Sequence, residues 1–216
     1  MAEVTPLPAA SVIVVRDAPF EVLMLRRHEK SSFVPNAWVF PGGIAERTDA
    51  ELGDGSALDA MRVAGVRETF EETGIWLGAP LADADRKRRE LLEGTLAFRD
   101  VVNEAPLELA KLVWTSRWIT PVGISKRFDT YFFLAAVSRA AIATAEQNEV
   151  VDVTWIDPRQ ALARHAAREM QMVFPTLRNL EALLGFTDTA TLLESRRDAV
   201  IEPIEPVLIN GKPALR

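Results

Sequence analysis

The sequence contains no cysteine and only two histidines, His28 and His165. That excludes a disulfide scaffold, a thiolate-held zinc or iron–sulfur centre and a thiol nucleophile. Any metal must then be held by oxygen ligands or by those two imidazoles, which lie more than a hundred residues apart without a metal-ligand spacing and are read as structural. Long apolar runs are also missing: the longest stretch without a charge, Ser31 to Ala45, is 15 residues and is broken by Pro35, Pro41, Gly42 and Gly43, short of the roughly 20 residues a membrane helix needs. The first fifteen residues carry Glu3 and no Lys or Arg, so no secretory or transit signal is visible. The expectation is a cytoplasmic protein with no membrane partner. Cations are in the minority, 25 against 31 acidic residues for a net charge of −6, which argues against a nucleic-acid partner and leaves small anions as ligands of local basic groups. A Gly-x-Ser-x-Gly elbow is absent, so a serine nucleophile has no support.

What remains is globular composition, 48% hydrophobic and 26% charged over 216 residues, enough for one elaborated domain. Residues 10–16 and 21–26 are β-branched runs around Asp17-Ala18-Pro19 and predict a β-hairpin. Trp38-Val39-Phe40 predicts a third strand, stopped by Pro41-Gly42-Gly43. Residues 57–73 predict a helix, opened by Ser56 with Asp59 in a capping-box pattern and closed by Gly74. Its Val63, Val66 and Phe70 make a core stripe that Gly65 weakens. Residues 83–111 predict a helical insertion divided by Pro106. Strands follow at 113–120, 130–137 and 150–156, then helices at 158–167 and 175–184. The prolines at 203, 206 and 213 forbid a long helix after Asp198 and suggest an irregular tail over about 198–216. The expected architecture is a mixed α/β sandwich forming one domain across 1–216, with its core at about 9–185.

The chemistry-bearing segment is Arg67-Glu68-Thr69-Phe70-Glu71-Glu72-Thr73-Gly74-Ile75. Glu68, Glu71 and Glu72 stand at i, i+3 and i+4 on one helix face, in the last turns, where negative charge opposes the helix dipole and like charges repel. Arg67 can pair with Glu71, which leaves Glu68 and Glu72 without a local cation. A hard divalent ion, Mg²⁺ or Mn²⁺, resolves that conflict, since both prefer clustered carboxylate oxygens.

These nine residues, with Pro41-Gly42-Gly43 upstream, resemble the Nudix box: Gly, five residues, Glu, seven residues, Arg-Glu, an apolar residue, any residue, Glu-Glu, any residue, Gly and an apolar residue. Two departures stand out. Literal spacing makes Gly53 the box glycine and Asp59 the box acid, and Thr69 occupies an apolar position. The alternative, favoured here, takes Gly43 as the box glycine and Glu46 to Gly55 as an insertion looping away from the fold, with Asp59 a capping residue. A lengthened box, Trp118-Ile119-Thr120-Pro121, the run from Arg127 through Asp129 and Tyr131 to Phe133, and Glu146-Gln147-Asn148-Glu149 resemble the peroxisomal coenzyme A diphosphatases of animals over about residues 11–180.

The resemblance implies an α/β/α Nudix sandwich and a Mg²⁺- or Mn²⁺-dependent diphosphate hydrolase. Its substrate would be a small-molecule diphosphate, coenzyme A or acyl-coenzyme A, cleaved to adenosine 3′,5′-bisphosphate and a phosphopantetheine product. ADP-ribose or another nucleoside diphosphate conjugate is the alternative substrate class, and a catalytically silent nucleotide-binding module is the alternative of another kind. A homodimer is left open. The expected metal ligands are Glu68, Glu72 and Glu71 with the carbonyl of Gly43. Glu71, Arg67 and Glu149 are the expected catalytic group. Arg26, Arg27, Lys126 and Arg127 are the expected phosphate-binding cations. Trp38, Phe128, Tyr131 and Phe132 are candidates to stack on a base, although strand aromatics more often fill a core.

Overall fold

The computed structural model describes residues 4–31 and 34–215, and every expected site residue lies within that range. Among the described residues ten strands and six α-helices follow one another: β1 Leu7–Arg16, β2 Glu21–Arg27, β3 Trp38–Val39, β4 Gly42–Ile44, α1 Ala57–Thr73, α2 Ala84–Leu92, α3 Phe98–Glu104, β5 Val113–Ile119, β6 Phe128–Ala136, β7 Val150–Ile156, α4 Pro158–Ala166, α5 Phe174–Glu181, α6 Thr189–Arg196, β8 Pro203–Ile204, β9 Val207–Ile209 and β10 Lys212–Ala214. The main sheet runs β3-β2-β1-β6-β5-β8, with β4 also on β1 and β7 also on β2. It is mixed, because β1 runs parallel to β6 from Leu7 to Val15 while β5 and β6 are antiparallel.

Strand β1 is the hub. Its alternating side chains feed two cores, with Ala10, Val12 and Val14 packing towards α1 and Ile13 and Val15 towards α4, α5 and α6, which makes the sandwich three layers deep. The expected β1–β2 hairpin is real but short, holding register only at Val15–Val22 and Arg16–Glu21. Lower down, β1 exchanges β2 for β4, pairing Ala9, Ala10 and Ser11 with Ile44, Gly43 and Gly42. The fork opens there because glycine lets β4 come close: a Cβ on Gly42 would lie 2.3 Å from the Ala10 carbonyl oxygen.

Helix α1 has the expected bounds. Ser56 Oγ accepts the Asp59 N–H at 3.1 Å, and Gly74 closes the helix at φ 77°. The capping box is only half made, since the Ser56 N–H donates to Asp54 Oδ1 at 2.7 Å and the Asp59 carboxylate takes Arg62 at 2.6 Å. Val63, Val66 and Phe70 are fully buried. Gly65 has a packing reason, because a Cβ there would sit 2.9 Å from Val12 Cγ2 and push α1 off the sheet.

Two expectations about organisation need correction. The tail after Asp198 is not irregular throughout: β8 extends the sheet beside β5, and β9 and β10 form a hairpin. Residues 46–55 do not loop away, for Asp49 is fully buried in a short 3-10 turn against α1. Among the described residues no helix is long and apolar enough to cross a membrane.

Candidate functional site

Helix α1 and the 146–149 loop bring their acids together against the glycines of β4. The Gly42 N–H donates to Glu72 Oε2 at 2.8 Å, tying the Pro-Gly-Gly turn to the last turn of α1. Gly43 lies directly against Glu68, whose Oε1 is 2.4 Å from where a Cβ would stand; Gly53 instead packs on Asp59. A side chain at Gly43 would have to displace the Glu68 carboxylate, so Gly43 and not Gly53 stands beside the acids of α1.

The partner of Arg67 is the main surprise. Its guanidinium is 5% exposed and donates from Nε and Nη2 to the two carboxylate oxygens of Asp49, both at 3.0 Å, and from Nη2 to the Ile44 carbonyl at 3.0 Å. Nη1 reaches Glu68 at 2.9 Å and Glu71 at 3.3 Å. This fork-to-fork pair is the strongest geometry available to the two groups. Five residues separate Gly43 from Asp49, the interval between glycine and acid in the box, so Asp49 takes the acid's place and the extra residues follow it. The signal was in the spacing from Gly43, hidden because the acid is Asp and because the insertion was placed at 46–55, across it.

The electrostatics show a site short of positive charge. Burial raises the Glu72 carboxyl well above its usual range, and the neighbouring charge of Glu68 adds to that, while the Gly42 N–H, Arg27 and Glu149 act more weakly in mixed directions. Burial likewise raises Glu68, against the pull of Arg67, and Glu149 adds to the rise. Glu71 is raised to about 7 by burial, only partly offset by Arg67. Burial alone would weaken the Arg67 proton, but the Asp49 hydrogen bond and the charges of Glu68, Asp49 and Glu71 outweigh it and hold the guanidinium firmly charged. Glu46, Asp49, Glu68, Glu71, Glu72 and Glu149 thus outnumber Arg67 and Arg27.

A cavity of about 710 Å³ opens beside these groups, lined by Gly42, Gly43, Glu46, Glu68, Glu149, Arg27 and Lys126 and by an uncharged, mostly apolar remainder. Glu149 is brought to it by a tight turn in which the Glu146 carboxylate accepts the N–H groups of Asn148, Glu149 and Val150, and by the His28 N–H, which bonds the Glu149 carbonyl at 2.8 Å. Neither Glu71 nor Glu72 is among the lining residues: Glu71 leans back on Arg67, and Glu72 stands behind Gly42, whose N–H it accepts. The donor set of Glu68, Glu72 and Glu149 is all oxygen, mutually repelling and pressed against a glycine, which fits a hard divalent ion. As the side chains stand, no three acidic or histidine groups among the described residues close into a metal cage.

The four expected phosphate-binding cations separate. Arg27, bonded to Ser31 Oγ at 3.0 and 2.8 Å, and Lys126, 5.4 Å above the Phe128 ring, line the cavity. Arg26 lies outside its lining and leans on Asp152 at 3.8 Å. The expectation for Arg127 is overturned: it is 3% exposed and spends its donors on the carbonyls of Thr120 and Val4 and on Glu205, the structural task of a clamp. Phe128 and Phe132 line the cavity, whereas Trp38 is buried in the core and Tyr131 stacks on Trp114 at 5.4 Å outside it. His28 Nδ1 accepts the Lys30 N–H at 3.0 Å, and His165 Nδ1 lies 2.9 Å from the Met170 carbonyl.

Arg88, on the inserted α2, carried no sequence signal for the site. It is 7% exposed and donates to the Glu71 carbonyl at 2.9 Å and to Thr144 Oγ1 and carbonyl at 2.7 and 2.9 Å. The Thr144 N–H in turn donates to the Thr73 carbonyl at 2.9 Å. A cation is thereby supplied to the carboxylate-laden end of α1, where the dipole asks for one, and the segment leading to Glu149 is fastened to that end. Thr69, in the box's apolar position, is fully buried and donates its hydroxyl to the Gly65 carbonyl at 2.7 Å, so its polarity is satisfied within the helix.

Comparison with known proteins matches residues 51–183 to the NUDT19 Nudix domain. The chain is 30% identical over 187 residues to a protein named putative nudix hydrolase 7 of Caenorhabditis elegans, covering 83% of this chain and 61% of that one. It is 28% identical to the acyl-coenzyme A diphosphatase NUDT19 of Xenopus laevis, covering 77% of this chain and 60% of that one. The chain therefore spans about three-fifths of the length of these two relatives. Among solved structures, a NUDIX hydrolase from Alicyclobacillus acidocaldarius superposes with a TM-score of 0.81 at 26% identity, over 92% of this chain and 100% of that one.

Proposed function

We propose, from the premise that this chain belongs to the Nudix hydrolase family, that it is a Mg²⁺- or Mn²⁺-dependent hydrolase of nucleoside-linked diphosphates with coenzyme A and its thioesters as substrates. The observation that carries the reading is the meeting of Glu68 and Glu72 with Gly42-Gly43, with Glu68, Gly42, Gly43 and Glu149 lining one cavity and Glu72 bonded behind it to the Gly42 N–H. When bound, the divalent ion supplies charge neutralisation for the diphosphate and acidifies water. Glu68 and Glu72 would hold it, with the Gly43 carbonyl beside them, and Glu149 is kept for the water. The chain's own part is positioning, the larger share of phosphoryl chemistry. Arg67 fixes Glu68 and Glu71 while Asp49 fixes Arg67. Glu149, at the cavity wall, is the group placed to take a proton from the attacking water.

Coenzyme A carries a 3′-phosphate besides the diphosphate, and Arg27 and Lys126 are the cations that line the cavity to meet these groups. The relatives named acyl-coenzyme A diphosphatase support this substrate class. The test is a product assay with coenzyme A, dephospho-coenzyme A and ADP-ribose at equal concentration in Mg²⁺ or Mn²⁺. Adenosine 3′,5′-bisphosphate from coenzyme A, with dephospho-coenzyme A about tenfold poorer for want of a charge-assisted bond, is the expected result. Faster release of AMP from ADP-ribose, with coenzyme A intact, would move the assignment to that substrate. No turnover of any of the three would leave a binding module.

A further inference from the structure

Diphosphate chemistry needs only part of the cavity. Its 710 Å³ is within the range that takes a drug-sized ligand, and the charged residues of its lining, Arg27, Glu46, Glu68, Lys126 and Glu149, all come from elements before residue 150. The rest is apolar. Trp118 and Phe174 meet there edge to face at 5.8 Å, and the last stretch of chain adds Pro206, Leu208 and Pro213.

That last stretch is firmly placed. β8 pairs Pro203 and Ile204 with Arg117 and Trp118 of β5, and Ile204 packs on the core. The buried Arg127 joins Glu205 to the Thr120 and Val4 carbonyls. Beyond this clamp the chain reverses through Asn210 and Gly211, both left-handed at φ 53° and 75°, the geometry of a two-residue hairpin turn with matched twist. An isolated two-stranded hairpin is marginal in water; this one is anchored at Glu205 and rests Leu208 3.7 Å from the position of a Cβ on Gly123.

We propose that the β9–β10 hairpin is a specificity-determining wall of the site, which selects substrates carrying an uncharged apolar chain on the half remote from the nucleotide and contacts that chain through Leu208. The tail contributes no charged side chain to the cavity, so an ionic or strongly hydrated group would lose its water there without compensation, whereas a hydrocarbon chain gains by burial. The proposal rests on the diphosphate-hydrolase reading, and the tests of the two are separable.

The experiment compares kcat/KM for dodecanoyl-coenzyme A and coenzyme A in the full chain and in Leu208→Asp and Leu208→Met. The wild type favours the dodecanoyl thioester, by about fourfold for each methylene the wall buries. Leu208→Asp lowers the dodecanoyl-to-free ratio at least about tenfold, mainly through KM, and Leu208→Met, which keeps apolar volume, retains it. A wild type indifferent to the chain, or a Leu208→Asp ratio equal to wild type, overturns the proposal. The same pair is titrated in EDTA by tryptophan fluorescence. If no diphosphate is hydrolysed but dodecanoyl-coenzyme A still binds more tightly than coenzyme A in a Leu208-dependent way, the wall stands and the hydrolase reading falls; if that preference is missing as well, both fall.

Discussion

Around Gly43 the site is made of carboxylates that repel one another and are buried against their charge; the part of the cavity to which Leu208 belongs is made of aromatic rings, prolines, aliphatic side chains and a few threonine hydroxyls. The first part stores unfavourable electrostatics that a cation releases, so it is poised for a ligand and has a pH dependence. The second contains nothing that titrates and discriminates by shape and hydration alone. The difference separates two jobs. In the proposed reading, chemistry would depend on a few oxygens fixed from several directions, and selectivity on a surface that tolerates modest changes of size.

The largest effect should come from the acid part. Glu72→Gln keeps the shape and the Gly42 hydrogen bond but removes one negative charge, and kcat/KM should fall by about a thousandfold. The metal-free variant should meanwhile unfold at the same temperature as wild type or higher, because the Glu68–Glu72 repulsion is relieved. Near-normal turnover at saturating Mg²⁺, or a large loss of stability, would show that Glu72 serves the fold instead.

Next comes the clamp behind it. Asp49→Asn should cost about 3 kcal/mol of stability, because it leaves the Arg67 guanidinium buried with weakened compensation. In a chain of this size that is a fall in Tm of about 6–12 °C. Deleting residues 46–55 should prevent folding rather than trim a surface loop. A Tm within a degree or two of wild type for Asp49→Asn would break the claim that the inserted segment supports the site.

A smaller effect is expected from pH. Glu68, Glu71 and Glu72 have folded pKa values above the 4.5 of the free carboxyl, Glu71 at about 7. The folded chain therefore keeps protons that the unfolded chain has released between those values. The stabilisation these neutral carboxyls afford is complete below about pH 4.5 and is lost as pH rises through about 7. Thermal unfolding without metal should lose about 1–3 kcal/mol of stability from pH 5 to 7, and Mg²⁺ or Mn²⁺ should restore it, most at the upper end. Stability that rises across that interval without metal would contradict the shifts.

Least in size is Arg88. Replacing it with Met should lower kcat several-fold, by about 1 kcal/mol, and displace the pH–rate profile with little change in KM. The helix end loses its external cation, and the segment leading to Glu149 loses its fastening. Arg88→Lys should recover part of the loss. An unchanged pH profile would make Arg88 a packing residue of the insertion.

The three substituted positions also show what could be read from sequence. Glu72 was legible because the conflict is local: like charges one turn apart at the wrong end of a dipole need no tertiary knowledge. The bounds of α1 were legible for the same reason, from Ser56 and Gly74. Asp49 and Arg88 were not, since their partners lie 18 and up to 56 residues away and the burial that gives each contact its weight is a property of the fold. Arg127 reads as half of a basic pair with Lys126, yet its partners, Val4 and Glu205, come from near the two ends of the described chain. The tail was misread although Asn210-Gly211 is a strong hairpin signal; the surrounding prolines exclude a helix but not the two- and three-residue strands that formed.

The most direct measurement is product analysis by chromatography after incubating coenzyme A with the wild-type chain and with Glu72→Gln in Mg²⁺ or Mn²⁺. Adenosine 3′,5′-bisphosphate from the wild type, absent when the metal is chelated and nearly absent with Glu72→Gln, is the predicted result. Coenzyme A left intact by the wild type under both metals, or equal product from the variant, would contradict it.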